Sequence, residues 1–144
     1  MIQRIQTIYL FLAALNLSGG FFIPFAKTET SQEGIFSDLV FTQGDQGSLS
    51  IMAILGMVLA IGGIFVYQNR KLQKQISLFL LGFCFGVAGM AFGILTKQAE
   101  QVEGLSYTYG FGWVFLLLAA FFTLLAMRGI SKDEELVKSM DRLR

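Results

Sequence analysis

The sequence predicts an all-α membrane protein, a four-transmembrane-helix bundle with both termini in the cytoplasm. Three observations predict it: four long uncharged stretches, the placement of the basic residues, and an apolar composition. Apolar residues make up 54% of the chain and charged residues only 15%, whereas soluble domains carry about 25% charged residues. A chain of 144 residues with four spans leaves no room for a separate soluble domain. Residues 1–144 are therefore expected to form one domain.

The uncharged stretches define the predicted spans. They are 22, 24, 22 and 24 residues long: Ile5–Ala26, Gln46–Asn69, Gln75–Thr96 and Gly104–Met127. A helix rises about 1.5 Å per residue, so each stretch can cross a hydrocarbon core of roughly 30 Å. A charge at mid-bilayer costs about 2.5–3.5 kcal/mol, which explains its exclusion. The predicted spans are residues 5–26, 48–68, 76–96 and 108–128, with outer loops 27–47 and 97–107, an inner loop 69–75 and a cytoplasmic tail 129–144.

The basic residues predict the orientation. Nine of the 11 fall before span one, in the inner loop or after span four: Arg4, Arg70, Lys71, Lys74, Arg128, Lys132, Lys138, Arg142 and Arg144. Only Lys27 and Lys97 lie on the other side. Because short cytoplasmic loops are enriched in Lys and Arg, both termini should face the cytoplasm. The first stretch is longer than a typical signal-peptide core, so we expect it to remain as a span.

Small residues predict how the spans pack. Span three carries Gly82, Gly86, Gly89 and Gly93, and span two carries Ala53, Gly56, Ala60 and Gly63, each set at spacings of three and four. Such seams let helix backbones approach closely in lipid. We expect the two seams to face each other or a neighbouring helix. A homodimer contact, or a docking face for another membrane protein, fits the same pattern.

The two outer loops are expected to pair into a small β cap. Residues 34–42 of the first loop are rich in β-favouring side chains between glycine-containing segments, and residues 105–111 of the second loop alternate apolar and polar side chains. The same residues fit almost equally well an alternative in which span four begins as a helix at Tyr107.

The tail predicts a short amphipathic C-terminal helix. Ser131 and Glu134 have the spacing of a capping box. An apolar stripe follows, formed by Leu136, Val137, Met140 and Leu143. This helix is expected to lie at the membrane surface or against the inner loop, or to dock a partner through the stripe.

Three segments carry a resemblance to a known family. They are the opening Met1–Leu10, the inner-loop run Asn69–Gln73 and the closing run Lys132–Arg144. With them the chain resembles an uncharacterised family of small four-span inner-membrane proteins, typical of the Bacteroidota and known as a domain of unknown function. The resemblance implies a bacterial inner membrane. It implies no activity, substrate or cofactor.

Catalytic and metal chemistry have few candidate residues. The chain has no His and one Cys, too few ligands for a zinc or haem site, so no metal or cofactor is expected. The four uncharged stretches contain no ionisable Asp, Glu, Lys or Arg of the kind that coupled transport uses. Asn16, the polar residue nearest mid-membrane, is expected to hydrogen-bond to a neighbouring helix.

A non-catalytic accessory or assembly partner of another membrane or cytoplasmic component is therefore the predicted function. The alternatives are a small transporter or channel acting as an oligomer, and a lipid- or quinone-binding protein, for which Trp113, Tyr107 and Tyr109 would be the place to look. Expected partners are membrane lipid, a protein on the cytoplasmic side and a second copy of the chain. Nucleic acid is not expected, because the three basic residues of the inner loop are an ordinary topology signal.

Overall fold

A computed structural model describes residues 5–29, 31, 34–102 and 105–141. The chain runs through helix α1 (Ile5–Gly19), strands β1 (Ala26–Thr28) and β2 (Val40–Phe41), a 3-10 turn (Gln43–Asp45), helices α2 (Gly47–Phe65) and α3 (Arg70–Gln101), strand β3 (Tyr107–Tyr109) and helix α4 (Gly112–Asp141). Helix α1 packs against α2 and α4, and α3 also packs against α2 and α4. The predicted helical fold with a small sheet is confirmed.

Three of the four helices are long and apolar enough to cross a membrane. They are α2, α3 and α4, whereas α1 is a shorter apolar helix of 15 residues. The sequence predicted that the first helix would continue to residue 26, but it ends at Gly19. Two consecutive glycines weaken the helix at this point. Gly20 then pairs with the 3-10 turn, since the Gln43 N–H donates to the Gly20 carbonyl at 3.0 Å.

Alanine, glycine and leucine form the interface between the helices. On α3 the buried positions recur at spacings of three and four, and they are Leu80, Cys84, Val87, Ala91 and Leu95. α2 buries the small side chains of its predicted seam together with Leu49. Helices α1 and α4 contribute further alanines, among them Ala13 and Ala119, both fully buried. Small side chains at the contacts allow close helix packing.

The outward surface carries the large apolar side chains. Phenylalanines on all four helices leave more than half of their surface exposed: Phe11, Phe65, Phe79, Phe85, Phe92 and Phe121. Soluble monomers rarely expose contiguous apolar surface of more than a few hundred Å². This distribution, together with the three long apolar helices, indicates membrane association.

The three strands form one antiparallel sheet in the order β2-β1-β3. Ala26 lies opposite both Phe41 and Tyr109, and Thr28 lies opposite Tyr107. A sheet formed by residues 34–42 and residues 105–111 was predicted. The central strand of the observed sheet is β1, which lies where the first helix was expected to end. Residues 34–42 form less strand than predicted, because Ile35 and Phe36 turn into the core instead. We call this sheet and the adjoining 3-10 turn the cap.

The tail does not form a separate helix. The expected start at Ser131 is wrong, because α4 continues without a break from Gly112 to Asp141. Ala126 and Ile130 are fully buried immediately before Ser131. A Cβ on Gly129 would meet the side chain of Gln6 on α1 at 3.5 Å. Packing on α1 therefore holds the helix through the position where a new cap was predicted.

Candidate functional site

Backbone carbonyls of Pro24 and Phe25 connect the cap to the start of α4, and the Pro24 oxygen accepts from the Gly112 N–H at 2.9 Å. The Phe25 oxygen accepts hydrogen bonds from the Gly110 N–H at 2.8 Å and from the indole Nε1–H of Trp113 at 2.7 Å. The Phe25 and Trp113 rings also stack at a tilt, with centroids 5.0 Å apart. Tyr109 meets Trp113 edge to face at 6.5 Å. These aromatic side chains hold the cap to the first turn of α4.

The same contacts reduce the case for a ligand at Trp113. An apolar cavity of about 130 Å³ lies beside it between α3 and α4, lined among others by Cys84, Phe85 and Leu116. Ligand pockets usually measure about 300–1,000 Å³. The cavity is therefore smaller than a typical quinone or lipid site, and the indole N–H is already used by the Phe25 carbonyl.

The two predicted small-residue seams are placed differently. On α2, Ala53, Gly56, Ala60 and Gly63 are all buried. A Cβ on Gly56 would come within 3.1 Å of Leu17 on α1, and one on Gly63 within 3.3 Å of Leu10 on α1. This seam lies in the interior and faces α1 as well as α3.

The seam of α3 faces outward. Gly82, Gly89 and Gly93 are exposed, and a Cβ on any of them would meet no atom within 4 Å among the described residues. Gly86 is half-buried at the edge of the set, where a Cβ would lie 2.8 Å from the Met52 methyl group of α2. The two seams were expected to face each other or a neighbouring helix. Among the described residues the α2 seam lies against α1 and α3, whereas the α3 seam is mostly turned outward, because α3 packs through its Leu80–Leu95 face. We call Gly82, Gly86, Gly89 and Gly93 the glycine face.

Aromatic ridges flank the glycine face. Phe85 and Phe92 each follow a glycine by three residues, which places them next to it on the helix surface. Their side chains are 59% and 51% exposed. The outside of α3 therefore carries a strip of glycines with exposed phenylalanines along one side.

Basic side chains gather at the other end of α3. Asn69 caps this helix, its side-chain oxygen accepting from the Leu72 N–H at 3.1 Å. The first helical residues are Arg70 and Lys71, and Lys74 follows one turn later, with no acidic residue in the first turn. A helix N-terminus carries a partial positive charge. An anion placed there stabilises the helix by about 0.3–1 kcal/mol, whereas a cation is repelled. The positive charge of this helix end is thus uncompensated by its own side chains.

The extension of α4 lies beside this helix end. Glu134 and Lys138 form an ion pair at 2.7 Å. That hydrogen bond with Lys138 holds the pKa of the Glu134 carboxyl below its usual value, and the charges of Lys74 and Lys71 add to the effect. Grooves of about 440 Å³ and 370 Å³ open on the two sides of Lys71 and Glu134. We call the pair of them the basic groove.

The predicted docking stripe of the tail is described only in part. Leu136 is 54% exposed, and Val137 is half-buried and lines the basic groove. The Met140 side chain and Leu143 lie outside the described residues. Leu136 is thus open to solvent or a partner, whereas Val137 lies at the groove that the inner loop also lines.

Polar side chains inside the bundle bond mainly to the backbone of their own helices. Within the described residues, no three His, Cys, Asp or Glu side chains come together to hold a metal ion. Asn16 does not bond to a neighbouring helix as expected, because its Nδ2 group donates to the Leu12 carbonyl of α1 at 2.8 Å. Thr123 likewise donates within its own helix, to Ala119.

A comparison with protein families identifies the chain. A family model described as a domain of unknown function, DUF4293, matches residues 2–143. The chain belongs to this family. The expectation of an uncharacterised family is thereby confirmed. No curated protein matches the sequence.

Three glutamines of this DUF4293 chain are buried, a placement that the sequence did not predict. Gln6, Gln43 and Gln73 are at most 1% exposed. The Gln73 Nε2 group donates to the Gly63 carbonyl at 3.0 Å and so ties α3 to α2. A glutamine near the end of an apolar stretch is normally assigned to the membrane interface, and only the packing reveals it as buried.

Proposed function

We propose that this DUF4293 chain is a non-catalytic, four-span protein of the bacterial inner membrane, a four-helix bundle with both termini in the cytoplasm. It acts as an accessory or assembly partner of another membrane component. The glycine face of α3 is the surface that receives a transmembrane helix of the partner. The exposed Leu136 end of α4 is available to a cytoplasmic part of the same complex.

Hydropathy and charge support the four spans. α2 is about 28 Å long, and α3 and α4 each exceed 40 Å, by a rise of about 1.5 Å per residue. α1 covers about 22 Å by the same rise, and the uncharged chain continues from Gly20 to Ala26. The nine-to-two distribution of basic residues then directs both termini to the cytoplasm.

The glycine face is the single observation that carries the assembly role. A glycine in a helix is about 1 kcal/mol less favourable than alanine. Among the residues that the structure describes, Gly82, Gly89 and Gly93 contact nothing that would require the absence of a side chain. In lipid, a smooth strip of this kind allows a second helix to approach closely. A partner helix would therefore give these glycines the function that the fold itself does not.

Cysteine tagging tests the orientation. Ser37→Cys and Ser139→Cys are near-isosteric changes at two exposed positions, one in the loop before β2 and one near the end of α4. In intact cells an impermeant thiol reagent should label position 37 and should leave position 139 unlabelled until the inner membrane is permeabilised. The native Cys84 is 1% exposed and provides the background. Labelling in the reverse order would overturn the proposed topology.

Gly89→Leu tests the assembly role. The leucine adds bulk to the outward glycine face, and its Cβ would meet no atom of the described residues within 4 Å, so we expect the fold to be unchanged. We expect loss of the co-purifying membrane protein, measured by mild-detergent purification from native membranes with mass spectrometry and native gels. The change should weaken assembly at least tenfold, for about 1.4 kcal/mol or more of lost packing.

Gly62→Leu is the matched control, since a Cβ there also meets nothing within 4 Å but lies on α2. It should leave the complex intact. Retention of the partner by Gly89→Leu, or equal loss with both variants, would remove the assembly role from this face. Recovery of a complex that contains only this chain would replace the partner with a second copy.

A further inference from the structure

The basic groove is lined by both basic and apolar side chains. Its 440 Å³ part is lined by Arg70, Lys71 and Lys138, and its 370 Å³ part by Lys71, Lys74 and two apolar side chains, Leu78 and Met127. The two parts meet at Lys71 and Glu134, which line both. The groove therefore has a cationic part and an adjoining part that includes apolar side chains near the start of α3.

Charge complementarity selects an anionic occupant. Four basic side chains line the groove against one carboxylate, Glu134, and Lys138 pairs with that carboxylate at 2.7 Å. Asp133 and Glu135, the neighbouring acidic residues of α4, do not line either part. The N-terminus of α3 adds its own positive end at the same place. A phosphate group would compensate the positive charges of the basic side chains that the fold brings together here.

The apolar half of the groove selects a lipid over a free anion. Leu78 is 58% exposed and lies two turns along α3 from Lys71. Met127 lies in α4 one turn before Ser131. A soluble phosphate would make no use of this surface, whereas an acyl chain attached to the phosphate would cover it. Basic pockets between helices at the cytoplasmic membrane surface are known to take anionic headgroups.

We propose that the basic groove binds one anionic phospholipid. The phosphate lies against Arg70, Lys71 and Lys74 at the N-terminus of α3, and an acyl chain lies along Leu78 and Met127. This site requires the chain to be inserted in a membrane and is independent of the partner at the glycine face. The recognised chemistry is a phosphodiester that carries a net negative charge, as in phosphatidylglycerol.

Native mass spectrometry of the full chain in mild detergent tests the site. The protein is incubated with equimolar phosphatidylglycerol and phosphatidylethanolamine of matched acyl chains. We expect preferential retention of one phosphatidylglycerol. In the combined variant R70Q/K71Q/K74Q the preference should fall by roughly fivefold for each basic side chain removed. The control variant K27Q/K97Q, which neutralises the two lysines remote from the groove, should keep the preference.

Further arms separate lipid binding from misfolding and from recognition of the phosphate alone. Emission of Trp113 and labelling of Cys84 should match the native chain in both variants, which excludes misfolding. Leu78→Ser should lower phosphatidylglycerol retention although every basic residue remains. Displacement of the lipid by an excess of inorganic phosphate would mean that the groove recognises the anion alone. That result, or an unchanged preference in the combined variant, would overturn the proposal.

Discussion

Replacement of Gly110 by alanine is expected to open the cap and destabilise the protein by about 3 kcal/mol or more. A Cβ at this position would overlap the Pro24 carbonyl oxygen and lie 3.0 Å from its carbonyl carbon. Both are backbone atoms, so the clash cannot be relieved by a side-chain rotation. Backbone movement would break the Gly110–Phe25 hydrogen bond at the same time. Thermal unfolding in detergent measures the effect.

The chain supplies its own probe for this experiment. Trp113 is the single tryptophan and donates to the same Phe25 carbonyl. In Gly110→Ala its emission should shift to the red at a temperature where the native chain is folded. Gly44→Ala is the control in the same cap, because its Cβ would make an ordinary contact of 3.5 Å with the Thr42 hydroxyl. Equal melting of the two variants would contradict the close approach at Gly110.

Replacement of Gly63 by leucine is expected to separate α2 from its neighbours, at a cost above about 3 kcal/mol. A Cβ alone would lie 3.3 Å from Leu10 of α1 and 3.4 Å from Ile76 of α3. The remaining three carbons of leucine have no room between those helices. The Gly63 carbonyl also accepts from the buried Gln73 amide, and this bond would be lost when the backbone moves.

The adjacent glycine provides the control for Gly63→Leu. A Cβ on Gly62 would meet nothing within 4 Å, so Gly62→Leu should behave like the native chain. The readout is the thiol of Cys84, the single cysteine, which is buried on the core face of α3. Its labelling rate should rise strongly in Gly63→Leu alone. If both variants label at the native rate, the described packing of α2 is incorrect.

The helices were predictable because charge exclusion and apolar composition are local properties. The same signal failed at Gly19–Gly20, where the apolar chain leaves the helix and enters the cap. Phe25 is fully buried beneath the sheet, and hydropathy does not distinguish such a residue from one that faces lipid. The continuous α4 was missed for a related reason. The spacing of Ser131 and Glu134 fits a cap, but the burial of Ile130 decides that the helix continues.

The sequence predicts which residues of the candidate surfaces share one face of a helix. It does not predict what that face contacts. A spacing of three and four residues places Gly82, Gly86, Gly89 and Gly93 on one side of a helix. It does not say which side the neighbouring helices occupy. The basic groove could not be predicted from helix spacing. Glu134 and Lys71 are distant in sequence and line one groove only because α4 extends past the start of α3. The hydrogen bond between Trp113 and Phe25 depends in the same way on tertiary structure.

The uninterrupted α4 makes the two ends of the molecule mechanically dependent. One end is held to the cap through Trp113, and the other reaches Glu134 and Lys138 beside the start of α3. A helix of 30 residues is about 45 Å long. A rigid tilt of about 10° about its midpoint would therefore move each end by about 4 Å. A displacement of the cap would therefore move the basic groove as well, through a rigid tilt of α4 that leaves the helical conformation unchanged.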